Sequence, residues 1–578
     1  MSHSAVSALA TARGDARARA EAELQRLGFV WTDAGWVGSV SEGQKTARVT
    51  IRLPEEFPDV LPNIVLQDPL RAAVYAHVER TGKLCLAPPT GTLIDEGRPE
   101  QLIVESIERA RRVLFLSDAT HEEDLKAEFL SYWPEPETER VFSICPAPVS
   151  MGPIAIASLD GSQLLLAAPD RAAAERWASR VGKRLGQAKS AFAIALKELF
   201  RPPRFTDRIT LAEFFRMIHE HAGAEVLAAY QRWLNETGLP AYVLVSAPLP
   251  SDGHIEIAAL IREATGKAAP NWQDGFRPGN APRSRQVAFA RGQTIARLDV
   301  QRLDPAFVVE RGGGATGLIN KTVVVIGCGA VGSHAAVLLA ATGIGKLRLI
   351  DPERLGPENV HRHVLGTDQI GQLKVDGLEK LLYRRYPLMD ITSKSADVLA
   401  VLRDEPDFLM VDADAIVVAV GDETIERRLN RLLPRDLLRV HVWLEPLGLG
   451  GQTLAVGFSR PGCYECLYRL DDEHGLVNMA SLTAPDQFFQ RTIAGCGGTF
   501  TPFGPMDAER AAVEAVRTVS QSILDQASEP LLQSWVNAGS SFATSGHQLS
   551  PRGAAIEPGC MRRDTQFALP ACPVCARW

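Results

Sequence analysis

Residues 322–351 read TVVVI-GCGAVG-SHAAVLLAATGIG-KLRLI-D, and this stretch decides the fold of the C-terminal half. Thr322 to Ile326 is an unbroken apolar, β-branched run of the kind a buried parallel strand needs. Gly327-x-Gly329-x-x-Gly332 follows, then a helical pattern from Ser333 to Thr342, a second strand from Lys346 to Ile350, and an acid at Asp351. Strand, glycine turn, helix, strand and acid compose a nucleotide-binding βαβ unit. The glycines let the backbone turn tightly against a phosphate, and the helix N-terminus beyond them offers unpaired N–H groups. Asp351, 24 residues after Gly327, stands where a ribose hydroxyl is held.

By itself this fingerprint belongs most often to NAD or FAD enzymes. The flanking charges move the reading to ATP. Asn359 and Arg362 follow Asp351, Lys374 closes a Gly-Gln-Leu-Lys run, and Asp422 sits in Val-Gly-Asp-Glu-Thr-Ile-Glu-Arg-Arg-Leu-Asn. Arg362 and Lys374 can neutralise a polyphosphate and Asp422 can hold Mg²⁺, needs that a dinucleotide site does not have.

Nine cysteines in 578 residues are too sparse and too odd in number for a disulfide framework. Cys463-Tyr-Glu-Cys466 and Cys572-Pro-Val-Cys575 form two C-x-x-C pairs, the spacing with which four thiolates enclose one structural Zn²⁺. Cys496 stands apart in Ala-Gly-Cys-Gly-Gly-Thr, before a helical pattern running from Asp507 to Leu524. A thiol on such a glycine-rich loop is accessible enough to attack an acyl adenylate. Cys560, in Pro-Gly-Cys-Met, competes for that role, whereas Cys328 and Cys145 read as structural.

The N-terminal segment shows a helical stretch (Ala8–Leu27), three strand-like runs (Gly35–Val40, Ala47–Leu53, Asn63–Leu66) and helical patterns over Leu102–Leu116 and Glu122–Tyr132. Its marked motifs are Glu56-Phe-Pro-Asp-Val-Leu-Pro-Asn63 and His77-Val-Glu-Arg-Thr-Gly-Lys-Leu-Cys85-Leu86. Trp133-Pro134-Glu135-Pro136 then breaks the pattern. From 140 to 300, strands (Pro153–Ser158, Ser162–Ala167, Ala241–Val245, His254–Leu260) mix with helices (Arg171–Leu185, Leu211–His219, Glu225–Asn235), and Lys267–Arg285 reads as a loop or linker. No constellation in this middle segment carries chemistry, so a scaffold or docking role is expected. A net charge of −7 argues against nucleic acid as partner. The absence of a membrane-length apolar run or a signal-peptide core places the expected location in the cytoplasm, away from the membrane.

The C-terminal segment resembles the adenylation domain shared by ubiquitin-activating enzymes and the ThiF/MoeB adenylyltransferases. The matching set is Gly327, Gly329, Gly332, Asp351, Asn359, Arg362, Lys374, Asp422 and Arg427. The resemblance implies that these residues bind ATP and Mg²⁺ and join AMP to a protein's C-terminus, that the domain is a homodimer, and that Arg302 or Arg311 reaches a second protomer. The N-terminal motifs resemble ubiquitin-conjugating enzymes with Cys85 as acyl acceptor. One departure stands out: that family's His-Pro-Asn turn is replaced by His77-Val78-Glu79, and its asparagine is missing.

The order of modules resembles the fused activating–conjugating proteins of CBASS antiphage operons. The expected fold class is therefore multidomain α/β and α+β. It comprises a ubiquitin-conjugating-like α+β domain (1–137), an α/β linker domain (138–298) and a Rossmann-like ThiF-type adenylation domain (299–578). The implied reaction activates the flexible C-terminal tail of a cGAS/DncV-like nucleotidyltransferase, or of a ubiquitin-like protein, and passes it through Cys496 and Cys85 to a target amine. A sulfur-carrier-protein adenylyltransferase is the alternative.

Overall fold

A computed structural model describes residues 3–68, 75–87, 92–115, 118–204, 206–250, 253–265, 275, 281–458, 460–492 and 499–576. The mixed α/β and α+β organisation is what it contains. Apart from the short stretch Arg176–Lys183, the chain divides between Leu303 and Asp304 into two compact units. Among the described residues no helix is long and apolar enough to cross a membrane.

The first unit opens with the helix His3–Arg26 and an antiparallel meander of β1 (Val30–Thr32), β2 (Gly35–Glu42), β3 (Lys45–Arg52) and β4 (Asn63–Leu66). Ala47, Val49 and Ile51 alternate along β3 into the core, as a half-buried strand requires. The helix Pro99–Leu114 meets them with Leu102, Ile103, Ala110 and Leu114, and Ala20 and Leu24 close the far side. Each Leu or Ile fully buried there contributes roughly 1.5–3 kcal/mol.

The rest of this unit is a closed seven-stranded barrel. Its strands are β5 (Arg140–Ser143), β6 (Gly152–Leu159), β7 (Leu164–Ala168), β8 (Leu185–Ala195), β9 (Ala241–Pro248), β10 (His254–Ile261) and β11 (Ala296–Arg302). They close in the order β10-β11-β5-β7-β6-β8-β9. Strand β9 is buried on both faces: Tyr242 and Leu244 fill the lumen with Val141 and Leu165. Ala241, Val243 and Val245 face the other way, under Phe214, Ile218, Tyr230 and Leu234 of the helices Leu211–Ala222 and Ala224–Thr237. The helix expected over Arg171–Leu185 stops at Arg180, and Leu185 instead begins β8. Lys267–Arg285 lies largely outside the described residues, and its last three residues begin the helix Arg283–Ala290.

The second unit is built on an eight-stranded sheet. In chain order its elements are β12 (Thr322–Ile326), β13 (Lys346–Ile350), β14 (Asp390–Lys394), β15 (Ala415–Val418), β16 (Arg439–Leu444) and β17 (Gly450–Val456). Two short pairs follow, β18 (Tyr468–Asp471) with β19 (Gly475–Asn478) and β20 (Arg491–Thr492) with β21 (Thr499–Phe500). Strand β22 (Leu531–Val536) and the edge strand β23 (Met561–Asp564) complete it. The sheet order is β14-β13-β12-β15-β16-β17-β22-β23, parallel as far as β16 and antiparallel beyond. The helices Ala330–Thr342 and Pro505–Leu524 bury alanines against it, among them Ala335, Ala336, Ala511 and Ala515. Chain order reverses across β12 and β15, and a crevice at the carboxyl ends of such strands is where α/β sheets bind ligands.

Candidate functional site

The glycine turn leaves β12 at that crevice, and its three glycines answer to different constraints. Gly327 has φ +83°, and a Cβ there would lie 2.5 Å from the Ala419 carbonyl oxygen. A Cβ on Gly332 would lie 1.7 Å from the Gly327 carbonyl oxygen, so the helix can pass the turn only without one. A Cβ on Gly329 would meet nothing within 4 Å. Protein packing therefore dictates two of the glycines, and the third faces open space at the first turn of the helix Ala330–Thr342.

Asp351 braces the turn. Its Oδ2 accepts the Cys328 N–H at 2.7 Å and its Oδ1 accepts the Glu353 N–H at 2.8 Å. Burial pushes its carboxyl above the usual range, against those two bonds and the nearby Lys374. His363 clamps the other side. The Leu365 N–H donates to Nδ1 at 3.1 Å, so the ring proton sits on Nε2 and is donated to the Cys328 carbonyl at 2.8 Å. Burial depresses the His363 pKa to about 4. The Cys328 thiol inside the turn is buried and pushed up by that burial, consistent with an inert packed group.

The charged residues named from sequence stand at several distances from this turn. Lys374, buried at the start of the helix Lys374–Arg385, pairs with Glu353, two residues past Asp351. Asp422 follows β15, the parallel neighbour of β12, and caps the helix Glu423–Leu432: its Oδ1 accepts the Thr424 and Ile425 N–H groups at 2.9 and 3.0 Å. The Asn359 side chain accepts the Gly356 N–H at 3.0 Å and so shapes the 3₁₀ turn Pro357–Arg362. Arg362 lies over the Phe503 ring, 4.7 Å from its centre. Arg427 is committed elsewhere, to both Glu465 carboxylate oxygens at 2.7 and 3.2 Å and to the face of Tyr468. Arg302 donates to the His254 carbonyl, and Arg311 ends the helix Pro305–Arg311.

The two C-x-x-C pairs converge. Cys463, Cys466, Cys572 and Cys575 are buried, and their four Sγ atoms all lie within 4.8 Å of one another. Three of the separations are 4.0 Å (Cys463–Cys466), 3.7 Å (Cys463–Cys572) and 3.3 Å (Cys466–Cys575). A disulfide needs about 2.05 Å, whereas tetrahedral Zn–S bonds of about 2.3 Å put sulfurs roughly 3.8 Å apart. The cluster can hold zinc. Four protein ligands leave no position open for substrate.

Cys85 is exposed, at the end of a short hairpin laid against β4. The Leu84 N–H donates to the Ile64 carbonyl and the Leu66 N–H to the Gly82 carbonyl, while Glu79 and Gly82 close the turn. The Cys85 N–H donates to the His77 carbonyl at 2.8 Å. Cys496 lies outside the described residues. Cys560 is exposed beside the edge strand β23, and Cys145 is buried in the barrel lumen.

Residues 306–539 match the ThiF family, and residues 31–142 match prokaryotic E2 family B. The chain joins a ThiF-family domain to an E2-family domain. Over 318 residues it is 26% identical to the uncharacterized protein y4oA of Sinorhizobium fredii, covering 51% of each chain. Over 219 residues it is 28% identical to the ATP-dependent ubiquitin transferase-like protein Cap2 of Pseudomonas aeruginosa, covering 37% of this chain and 38% of Cap2. The adenylyltransferase and sulfurtransferase MOCS3 of Arabidopsis thaliana is 30% identical over 175 residues, 30% of this chain and 36% of its own. The chain thus spans about half the length of y4oA and less of the other two. The structure of E. coli MccB with MccA-N7isoAsn is similar at TM-score 0.33 and 18% identity, over 46% of this chain and 69% of MccB.

Within the ThiF-family domain, several groups that bear on the site carry no local sequence signal. His363 and Glu353 reach the glycine turn and Lys374 only through the fold. Glu426 and His441 form a buried pair at 3.0 Å behind Asp422, and Glu426 also accepts the Gly421 N–H. A cavity of about 750 Å³ opens between Leu447, Phe500, Phe503 and Met506, with Asp507 and Arg510 among its polar lining. Phe503 is the ring beneath Arg362.

Proposed function

We propose that this protein activates a protein C-terminus with ATP and relays it through thioesters to an amine. The observation that carries the reading is the pairing, in one chain, of a ThiF-family glycine turn with an E2-family hairpin that presents an exposed cysteine. Gly329, whose missing side chain no protein atom requires, supports a phosphate at the turn. Lys374 and Arg362 supply positive charge for the polyphosphate. Asp351 serves the ribose through lone pairs that its backbone bonds leave over. Both capping bonds of Asp422 fall on Oδ1, and the Mg²⁺ reading uses Oδ2. Asn359 shapes the segment carrying Arg362, and Arg427 acts at one remove by anchoring the zinc-binding turn.

In this reading the tail carboxylate attacks the α-phosphorus, pyrophosphate leaves, and an acyl adenylate forms. The Cys496 thiolate displaces AMP, the Cys85 thiolate displaces Cys496, and an amine displaces Cys85 to leave an amide. The cavity beside Phe503 accommodates the tail. The division expected at 1–137, 138–298 and 299–578, with its second boundary moved past β11 to follow Leu303, gives each step its module, with the barrel as scaffold and the ThiF-family domain as a cytoplasmic homodimer. The substrate is the tail of a cGAS/DncV-like nucleotidyltransferase in antiphage defence, an assignment the likeness to Cap2 supports. The kinship with MOCS3 favours sulfur-carrier activation as the second reading, which leaves the E2-family domain without a task.

The test is ATP–pyrophosphate exchange with each candidate tail protein, followed by non-reducing electrophoresis and intact mass. Exchange is expected in the wild type and lost in Asp422→Asn, which keeps the helix cap and removes the charge. Exchange that survives this substitution overturns the Mg²⁺ assignment, and adduct formation with sulfide in place of Cys85 loading selects the second reading.

A further inference from the structure

The asparagine that conjugating enzymes place ahead of their cysteine is missing, yet the backbone opposite Cys85 is held with unusual care. The His77 carbonyl receives the Cys85 N–H, and Val78 bridges Leu84 antiparallel. His77 sits at φ +61°, in the left-handed region that a residue with a Cβ seldom occupies. Something must hold it there. The Glu128 carboxylate grips His77 twice: Oε2 accepts its backbone N–H at 3.0 Å, and Oε1 lies 2.6 Å from Nδ1. Asp124 Oδ2 stands 3.5 Å from Nε2. Tyr132, buried beneath, donates its hydroxyl to Glu128 Oε2 at 3.3 Å.

We propose that the His77–Glu128 pair is the positioning element for Cys85, holding the left-handed turn whose carbonyl anchors the cysteine amide and so orienting the thiol for acyl transfer. The inference rests on the reading of Cys85 as the acyl acceptor. Both imidazole nitrogens are turned to carboxylates, which leaves neither to take the Cys85 proton, so His77 positions and is not a base. The groups facing the ring are Glu128, Asp124 and the Tyr132 hydroxyl. The hydrogen bond to Glu128, outweighing burial, raises the His77 pKa, and that bond in turn holds Glu128 low against its own burial. A group with a raised pKa delivers its stabilisation below that pKa and loses it as pH climbs through it. The clamp is therefore tight in mild acid and slackens as His77 deprotonates.

The experiment uses the full chain and a Gly-Gly mercaptoethanesulfonate thioester as acyl donor, with acylation of the Cys85 peptide followed by mass spectrometry from pH 5 to 9. Iodoacetamide alkylation of the same peptide is the control, because it needs a thiolate but no defined orientation. His77→Ala and Glu128→Gln are expected to acylate Cys85 about ten- to a hundredfold more slowly than wild type at pH 6, the loss that follows misplacement of a reacting group. Alkylation should stay near wild type. His77→Asn, which tolerates the left-handed region and keeps a side-chain donor, should recover most of the rate. The advantage of wild type over His77→Ala should shrink as pH rises through the His77 pKa. Wild-type acylation rates in His77→Ala and Glu128→Gln, or a wild-type advantage that ignores pH, overturn the clamp alone. A wild-type protein that acylates other cysteines and never Cys85 overturns the acceptor reading, and the clamp falls with it.

Discussion

Gly329 and Gly332 are three residues apart and predict opposite phenotypes. A methyl on Gly332 collides with the Gly327 carbonyl at 1.7 Å, so Gly332→Ala should cost about 1–3 kcal/mol in denaturant melts, as overpacking does. A methyl on Gly329 enters open space, so Gly329→Ala should keep stability within about 1 kcal/mol and lose ATP–pyrophosphate exchange. A Gly329→Ala protein with full exchange would remove the phosphate from this turn. His363 gives a pH prediction with a defined sign. Its pKa is depressed from the ordinary histidine value to about 4, so the unfolded chain binds the extra proton first. The contribution of His363 is complete above about pH 6.5 and disappears as pH falls through about 4. Melting of wild type should fall more steeply than that of His363→Gln between those limits, and parallel curves would show that the ring takes up its proton in the fold as readily as in the unfolded chain.

At the level of elements, the cysteine cluster fastens the end of the chain to the 3₁₀ turn Tyr464–Leu467. Arg427 and Arg431 reach Glu465, one of the two residues between the first pair, from the helix Glu423–Leu432 that Asp422 caps. The cysteine cluster and Asp422 are thus tied to one helix. Elemental analysis of protein purified without chelator should find one zinc per chain. Cys572→Ser should lose it together with a large share of the roughly 10–16 kcal/mol that structural zinc supplies to small domains. Metal-free protein with an unchanged melting transition would refute the assignment. The element most readily seen in the sequence was β12 with its turn and helix, because thirty consecutive residues carry the whole pattern. The barrel was seen only as a mixture of strands and helices. Its β5 and β11 are short and studded with charge (Arg140, Arg297, Asp299, Arg302), and they pair with each other across about 150 intervening residues.

For the whole molecule, Cys85 belongs to the first unit and Cys496 to the sequence of the second, so the proposed relay makes an ordered prediction. Cys496→Ala should still exchange pyrophosphate and load neither cysteine. Cys85→Ala should accumulate a reducible adduct at Cys496. Normal loading of Cys85 in the Cys496→Ala protein would shift the intermediate role to Cys560, which is exposed, or to direct transfer from the adenylate.

What the sequence by itself determined is local chemistry: the glycine turn, the acid after the second strand, two C-x-x-C pairs that fit one tetrahedral ion, and a cysteine after an extended run. Each is written in a few neighbouring residues, where backbone geometry and ligand spacing leave little choice. Tertiary structure alone decided which partners complete them. His363 reaches the Cys328 carbonyl, Glu353 takes Lys374, Glu465 claims Arg427, and Glu128 holds His77 in a left-handed turn. A side chain's partner is fixed by which surfaces pack together, and packing is settled by the burial of strands and helices far apart in the chain, on which the residue's own neighbours in sequence have no bearing.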